Sequence, residues 1–439
     1  SSPSRSSSYR LTRLRSRLSA IGPEGLAARA GWAGVVEVLQ LVSSVLVFVV
    51  LAKFLSTDDY GRMAAVLGIA AAATNLGGFG SHVLLIKRVS QGMALEEAWK
   101  RATSVSTLGL AATSLLVIGL QPVILSRVPL SVTALFVVSQ VNFFFLTELA
   151  VYVGNGTRRL REAAQIRALV IGCRLAALVW FTLFGDGDLR NWATASFVSF
   201  GVAVILALGY VWRVFGAAPG IGRGSMDDVR QGIPFAANGS SESLVDVSDR
   251  PLLVRYDHVA DAGIYGLGGR IVQFGYLPLR IVMRASDADL FEAGKDGVAA
   301  ALRVTRSLMP TMVAIGAVVG VGLVITAPIL PVIAGDKWDE AVNAIRLLGA
   351  LPIIRGVQYL IGNTLSASDH QWWRVGATLS AAAVNFTLNL LLLPQGTWRT
   401  AVFTTMVSEV YLTGALALVT YGLVRREARG APPPTPITT

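Results

Sequence analysis

Residues 31–61 read GWAGVVEVLQLVSSVLVFVVLAKFLSTDDYG, a long apolar run that ends in a polar turn. The run from 31 to 54 is long enough to cross the roughly 30 Å hydrocarbon core of a bilayer as one helix, because a helix rises about 1.5 Å per residue. Glu37 is the only acidic residue in the run, and Asp58 and Asp59 follow in the turn. The segment therefore predicts a first membrane span followed by a short acidic loop.

Further apolar runs of similar length follow along the chain. With the first, the predicted spans are 31–54, 62–86, 102–124, 131–154, 163–184, 191–213, 233–256, 262–284, 306–333, 339–362, 371–393 and 398–424. Hydrophobic residues make up 53% of the chain and charged residues 15%, against about 25% charged in soluble domains. These values exclude an ordinary soluble enzyme, a disordered chain and a disulfide scaffold. We predict an all-α polytopic membrane protein with about twelve transmembrane helices.

The basic residues are distributed unevenly between the predicted loops. The chain has 38 Lys and Arg against 27 Asp and Glu, which gives the formal net charge of +11. If the N-terminus is cytoplasmic, 25 of the 38 basic residues fall on cytoplasmic segments, 7 on outer segments and 6 within spans. Because positive charge marks the cytoplasmic side of membrane proteins, both termini are predicted to be cytoplasmic. The net charge then reports topology rather than a nucleic-acid partner.

Short motifs repeat at an offset of about half the chain. Glu37 and Tyr60-Gly61 recur 205 residues later as Glu242 and Tyr265-Gly266. Six spans per half make the halves parallel repeats, related by an axis along the membrane normal, with a binding site expected at their interface. The predicted regions are a basic N-terminal tail at 1–30, an N-lobe at 31–215, a cytoplasmic linker at 216–232, a C-lobe at 233–425 and a C-terminal tail at 426–439.

Charged side chains within predicted spans are the strongest functional signal in the sequence. A charge near the bilayer centre costs about 2.5–3.5 kcal/mol on insertion scales, so such residues usually face a bundle interior or a wet cavity. The basic ones are Arg174, Arg250, Arg270, Arg280, Arg346 and Arg355, and the acidic ones are Glu37, Glu148, Glu242, Asp246, Asp249 and Glu409. Arg346 lies near the end of its span, where a long side chain reaches the interface.

Spans 7 and 8 each carry a polar stripe. At about 100° per residue, one helix face holds Asn238, Glu242, Asp246 and Asp249 in span 7, and another holds Arg270, Gln273, Arg280 and Arg284 in span 8. For an antiparallel pair, equal depth predicts that Asp249 meets Arg270 and that Asp246 meets Gln273. Two interpretations stay open: the stripes neutralise each other, or they line a water-filled cavity where Arg280 has charge to spare for a phosphate.

Other kinds of chemistry have no support in the sequence. Cys173 is the only cysteine, which excludes an intramolecular disulfide. The three histidines lie far apart, and no metal-ligand spacing, P-loop or hydrolase motif is found. We expect a transporter rather than an enzyme, with no metal or cofactor apart from a coupling ion, Na⁺ or H⁺. Trp338 lies at a predicted interface and is expected in an aromatic belt.

Four short segments resemble a known family. Residues 51–61, LAKFLSTDDYG, and 83–88, VLLIKR, are similar to the end of the first span and the basic end of the second in bacterial polysaccharide flippases of the Wzx type. Residues 247–254, VSDRPLLV, and 262–266, AGIYG, resemble the same pattern in the second half. The resemblance covers about residues 30–425.

The resemblance implies the MOP exporter superfamily, with two six-helix lobes, a central cavity and alternating access. It also implies export of a polyprenyl-pyrophosphate-linked sugar across a bacterial inner membrane. Lipid II flippases of this superfamily usually have two extra spans, which are not found, and this argues against lipid II as the substrate. A glycan polymerase or glycosyltransferase is a candidate protein partner, beside the lipids of the membrane.

The leading hypothesis is a flippase for a lipid-linked oligosaccharide. The substrate-binding candidates are Arg270, Arg280, Arg355, Arg174, Arg250 and Gln273, and the coupling or charge-pairing candidates are Asp246, Asp249, Glu242 and Glu37. A cation-coupled multidrug exporter of the same superfamily is the first alternative, and a net negative cavity would favour it. A non-transporting membrane scaffold for glycan assembly is the second, and a cavity whose arginines are all internally paired would favour that.

Overall fold

The computed structural model describes residues 23–220 and 224–429, with side chains from residue 39 onward except at a few helical positions. The side chains of four predicted stripe or coupling residues lie outside the described residues: Glu37, Asn238, Glu242 and Arg284. Most of the predicted N-terminal tail and the end of the C-terminal tail also lie outside them. Within the described residues the chain forms helices and no strand, which confirms the all-α prediction.

The N-lobe consists of eight helical segments and one π-helical turn. They are α1 (Pro23–Phe54), α2 (Thr57–Gly77), α3 (Ser81–Ser90), α4 (Leu95–Ile124), α5 (Leu130–Val137), the π-turn Val138–Phe143, α6 (Phe144–Gly156), α7 (Leu160–Phe184) and α8 (Leu189–Phe215). The pairs α2–α3 and α5–α6 each continue through a break as one apolar span.

The C-lobe begins at Met226, inside the region predicted as linker. Its helices are α9 (Met226–Val247), α10 (Asp249–Arg255), α11 (Val259–Gly275), α12 (Leu277–Gly294), α13 (Val298–Thr326), α14 (Ile329–Ala334), α15 (Asp339–Leu348), α16 (Leu351–Ala367), α17 (Gln371–Leu392) and α18 (Trp398–Ala428). Ser225 begins α9 with a capping box, accepting a hydrogen bond from the Asp228 N–H while the Asp228 carboxylate accepts one from the Ser225 N–H.

Eight helices of the described chain are long and apolar enough to cross a membrane. The pair α15–α16, bent by 44°, adds a ninth, and α1 has a shorter apolar part at Leu39–Phe54. The helices of predicted spans 7 and 8 do not meet the same test, because α10 and α11 have only 7 and 17 residues while α9 and α12 are rich in charged residues. A multi-pass membrane protein is confirmed, and the count of twelve spans stays a prediction.

Both of those polar spans are broken near their middle, each just before a proline. Helix α9 ends at Val247 and α10 starts at Asp249, because Pro251 has no N–H to donate to the Val247 carbonyl. In the same way Pro278 cannot donate to the Phe274 carbonyl, and α11 ends at Gly275 before α12 starts at Leu277. Each polar stripe therefore continues across two consecutive helices.

Repeat-related helices from the two lobes cross at a glycine seam. A Cβ added at Gly61 of α2 would lie 2.1 Å from the Val259 carbonyl oxygen, and one added at Gly263 of α11 would lie 2.2 Å from the Thr57 carbonyl oxygen. Small residues allow this approach of two helix backbones. The repeated Tyr60-Gly61 and Tyr265-Gly266 motifs therefore mark the line along which the lobes meet.

Contacts between the two lobes also join them at the end that the distribution of basic residues predicts to lie on the outer side of the membrane. The Trp338 indole N–H donates to the Ala52 carbonyl at 2.8 Å, and the Trp338 ring contacts Tyr60 edge-on. Lys337 donates to the Leu55 carbonyl at 2.6 Å, and partial burial lowers the pKa of its ammonium group. Trp338 is fully buried, so the prediction of a belt position was wrong: the ring fills the interface between the lobes.

At the opposite end of the interface, α9 contacts both α2 and α3 of the N-lobe. The Arg88 guanidinium pairs with the buried Asp228 carboxylate, and Asn75 donates to Ser243 at 2.8 Å further along the seam. The other side of the interface differs, because a cavity separates α1 from α11 and α12 there.

Candidate functional site

A cavity of about 280 Å³ lies between α1 of the N-lobe and α11–α12 of the C-lobe. Gln40, Leu41 and Ser44 line it from α1, and Arg270, Gln273, Phe274, Leu277, Arg280 and Ile281 line it from the C-lobe. It therefore lies at the interface of the two repeats, where a binding site was expected. Residues 40 and 44 were not among the predicted site residues, although their spacing of four places them on one face of α1.

The predicted stripe of span 8 forms the basic wall of this cavity. Arg270 and Arg280 are exposed and Gln273 lies between them. The Gln273 side-chain oxygen accepts from Arg270, and its carbonyl accepts from Arg280, each at 3.5 Å. Bonds of this length are weak, so both guanidinium groups keep donors for a ligand.

Two further arginines extend the positive charge across the interface. Arg174 of α7, in the N-lobe, is close enough to Arg270 for their charges to repel, and Arg250 of α10 repels Arg270 in the same way. The Arg250 guanidinium lies over the Tyr265 ring at 5.9 Å, and its buried Nε has no hydrogen-bond partner. The structure thus brings four of the five predicted substrate-binding arginines together.

We call Arg174, Arg250, Arg270 and Arg280 the basic cluster. Within the described residues, none of the four forms a salt bridge with a carboxylate. Like charges in a partly desolvated site repel each other, and of these four arginines Arg250 has a carboxylate nearby, that of Asp249. Guanidinium groups present a planar fork of donors that fits phosphate oxygens. The arrangement can therefore hold an anion, and it fits a phosphate group.

Arg355, the fifth predicted arginine, lies elsewhere and is already paired. Its guanidinium bonds the carboxylates of Asp246 and Glu409, with its Nε 3.0 Å from Glu409. Gln358 donates to the other Glu409 oxygen at 2.6 Å. These four residues, the paired cluster, line a second cavity of about 100 Å³ within the C-lobe. The predicted contact of Asp246 with Gln273 was therefore wrong, because Asp246 points towards α16 and α18.

Asp249 is also placed differently from the prediction. It is fully buried, and its carboxylate accepts hydrogen bonds from Tyr265 and Thr405, each at 2.7 Å, and from Asn389. The predicted pair with Arg270 was wrong because Asp249 lies against Tyr265, Asn389 and Thr405, which come from three other helices. Three neutral donors from three other helices satisfy it instead.

Two of the remaining charges within predicted spans, Glu148 and Arg346, line neither of these cavities. Glu148 pairs with Arg167 at 2.8 Å inside the N-lobe, and Arg346 is exposed on α15. Among the described residues, no group of three or more His, Cys, Asp or Glu could hold a metal ion. Glu37 and Glu242 cannot be placed relative to the cavities, since their side chains lie outside the described residues.

Two helical lobes with a basic cavity between them make up this membrane protein, and solved structures of transporters from the MOP superfamily have a similar fold. The chain belongs to the polysaccharide biosynthesis protein family, whose model matches residues 26–282. The match is consistent with the Wzx-type resemblance found in the sequence. No curated protein sequence matches the chain.

Three solved structures show the extent of the likeness. An inward-facing multidrug resistance MATE transporter of the MOP superfamily has TM-score 0.69 at 13% identity, covering 88% of this chain and 96% of its own. The lipid II flippase MurJ, in an inward closed conformation, has TM-score 0.65 at 12% identity, covering 90% and 87%. A MOP transporter from Pyrococcus furiosus, described as having a binding pocket of reverse polarity, has TM-score 0.61 at 12% identity, covering 89% and 94%. At this identity the likeness concerns the fold.

Proposed function

We propose that this protein is a flippase that moves a polyprenyl-pyrophosphate-linked oligosaccharide from the cytoplasmic to the outer leaflet, for the assembly of cell-surface polysaccharide. The observation that carries the proposal is the basic cluster, which lines the lobe interface without a carboxylate partner among the described residues. Membership of the polysaccharide biosynthesis family supports a glycan as cargo.

The pyrophosphate docks on Arg270 and Arg280, which are exposed to the cavity. Arg174 and Arg250 add charge from either side, and Gln273 holds the two exposed arginines apart. The sugar crosses in the wet cavity while the polyprenyl tail stays in lipid beside α1 and α12. Alternating access then consists of rocking one lobe against the other.

The membrane of residence is proposed to be a bacterial inner membrane, with both termini in the cytoplasm. Trp338 and Lys337 close the lobes at the outer end under this topology, which leaves the cavity to receive substrate from the cytoplasmic side. An H⁺ or Na⁺ gradient drives the cycle through carboxylates of the C-lobe, among which Asp246 and Asp249 have described surroundings. Glu242 and Glu37 remain further candidates.

The alternative functions predict a different charge in the cavity. A multidrug exporter is favoured by the MATE neighbour, but organic cations would be repelled by the basic cluster. A scaffold without transport would have its cavity arginines paired with its own carboxylates, as Arg355 is. The arginines of the basic cluster form no such salt bridge among the described residues. A lipid-linked anion is the cargo that fits the charge.

Binding of a short-chain polyprenyl pyrophosphate to the purified protein tests the proposal. We expect Arg280→Glu to weaken binding at least about tenfold, because it removes a charge-assisted contact and adds repulsion. Arg303→Glu is the control, since Arg303 is exposed on α13 and lines neither cavity. Equal affinity of wild type and Arg280→Glu, or preference for a cationic dye over the pyrophosphate, would overturn the proposal.

A further inference from the structure

The two walls of the interface cavity differ in their chemistry. The C-lobe wall carries the guanidinium groups of Arg270 and Arg280, to which the proposed function assigns the pyrophosphate. The N-lobe wall is formed by α1, where Gln40 and Ser44 lie one turn apart and line the same cavity. Both are neutral side chains that form hydrogen bonds. Binding of the pyrophosphate at the arginines gives this second wall no role.

The side-chain amide of Gln40 is held in one orientation. Arg167 of α7 donates a hydrogen bond to it. A guanidinium group only donates, so the Gln40 atom that it contacts is the oxygen and not the nitrogen. The Gln40 NH₂ group therefore lies at the other corner of the amide, and it has no acceptor among the described residues. Two N–H donors thus remain for a ligand in the cavity.

Arg167 brings little net charge to the N-lobe wall. Its other terminal nitrogen donates to the Glu148 carboxylate of α6 at 2.8 Å. This ion pair neutralises the guanidinium group and also fixes it against Gln40. The N-lobe wall is therefore polar but uncharged, and it lies opposite the arginines of the C-lobe.

A neutral wall fits the hydroxyl groups of a sugar better than it fits phosphate oxygens. Hydroxyl groups both donate and accept, so they can accept from the Gln40 NH₂ group and exchange hydrogen bonds with the Ser44 hydroxyl. Phosphate oxygens form their strongest hydrogen bonds with charged donors, which lie across the cavity. In a lipid-linked glycan the first sugar is bonded directly to the pyrophosphate, so both groups fall within one cavity.

We propose that Gln40 and Ser44 form a sugar subsite that hydrogen-bonds the first sugar of the cargo, and that Arg167 is a positioning residue that fixes the Gln40 amide. The subsite lies in the N-lobe, and Arg270 and Arg280 lie in the C-lobe, so one cargo molecule contacts both lobes. This inference deepens the proposed function and rests on it for the pyrophosphate that brings the sugar to α1.

Paired binding measurements separate the sugar from the phosphate. The purified full chain is titrated by calorimetry with a short-chain polyprenyl pyrophosphate, and with the same lipid carrying one glucose, galactose or N-acetylglucosamine residue. In wild type we expect at least one of the three sugars to raise the affinity by about threefold or more, because a neutral hydrogen bond changes affinity by about two- to tenfold.

Gln40→Met should remove most of this gain, because methionine has a similar length and no charge but no N–H donor. Its affinity for the pyrophosphate without a sugar should equal that of wild type. Ser44→Ala should lose part of the gain, and it also answers the case in which Gln40→Met folds poorly. The matched control is Gln165→Ala, because Gln165 is an exposed glutamine of α7 that bonds Tyr210 and lines none of the described cavities. It should keep the whole gain.

The positioning role of Arg167 is tested in the same way. Arg167→Gln should lose part of the sugar gain while binding the pyrophosphate without a sugar as wild type does. In the Gln40→Met background it should lose nothing further, because the amide that it positions is absent. Arg167→Lys keeps a cation beside Glu148 and a donor for Gln40, so it should recover part of the gain. A full gain in Arg167→Gln would overturn the positioning role.

Three results would overturn the sugar subsite: no gain from any of the three sugars in wild type, a full gain in Gln40→Met, or an equal loss of affinity for both lipids in Gln40→Met. Each of these leaves binding of the pyrophosphate at the basic cluster as an independent finding. If wild type failed to bind the pyrophosphate without a sugar, the proposed function itself would be overturned.

Discussion

The basic cluster and the paired cluster contain the same type of residue at membrane depth, in opposite surroundings. Arg270 and Arg280 face a cavity at the lobe interface with no carboxylate partner among the described residues. Arg355 bonds two carboxylates within one lobe. For an arginine within the membrane, the groups that it contacts therefore distinguish a ligand site from a structural ion pair, and its depth does not.

Replacing Arg355 should have the largest effect. Arg355→Gln leaves Glu409 buried without its counter-ion, and breaking a buried pair by removing one partner costs about 3–5 kcal/mol. We expect a loss of that size in the free energy of unfolding, measured by denaturant titration in mixed micelles. Arg280→Gln is the control and should lose little. Equal losses in the two variants would remove the distinction between the clusters.

Asp249 has surroundings that differ from both clusters, because neutral donors hydrogen-bond its buried carboxylate. Replacing Asp249 with alanine tests how much these hydrogen bonds contribute to stability. Asp249→Ala removes one acceptor from Tyr265, Thr405 and Asn389, although Asn389 still donates to Asn385 and the two hydroxyls still bond each other. A buried polar group that loses its partner costs about 1–3 kcal/mol. We expect destabilisation in that range by the same titration. Asp249→Asn should recover part of it, because the amide oxygen still accepts. If Asp249→Ala were as stable as wild type, the network would not contribute to folding.

Arg270→Gln should separate binding from stability. We expect polyprenyl pyrophosphate to bind about tenfold more weakly, because one charge-assisted contact is lost, while the unfolding midpoint stays at the wild-type value. Calorimetric binding and thermal unfolding of one preparation give both readings. Arg355→Gln, in preparations that are folded, should bind polyprenyl pyrophosphate with the wild-type affinity but have a lower unfolding midpoint. A loss of stability without a loss of affinity in Arg270→Gln would place Arg270 with the structural pairs.

The smallest effect is expected at an exposed ion pair. Arg127 and Asp257 lie 3.2 Å apart across the outer ends of the lobes, with both side chains more than half exposed. Exposed pairs contribute about 0–1 kcal/mol and are screened by salt. Asp257→Asn should therefore change the free energy of unfolding by less than about 1 kcal/mol, and less again at high salt. A larger, salt-independent loss would show that burial is not what distinguishes the paired cluster.

The stripe of span 8 shows how far the sequence reaches. Helical spacing alone placed Arg270, Gln273 and Arg280 on one face, and all three line the cavity. The stripe of span 7 shows the limit, because the equal-depth rule assumed two straight helices facing each other. Asp249 instead accepts hydrogen bonds from Tyr265 and Thr405. Spacing along one helix does not tell which neighbouring helix each residue of a stripe will meet.

Hydropathy and charge distribution by themselves determined the class of this protein: an all-helical chain in a membrane, built as a repeat, with a few arginines at depth. These are local properties, since each span must satisfy its own backbone and bury its own apolar surface. The partners of each charge were decided only by the tertiary structure. Arg355 and Glu409 are 54 residues apart and meet because α16 and α18 are neighbours. Pairing depends on which helices pack together, and no spacing along one helix contains that information.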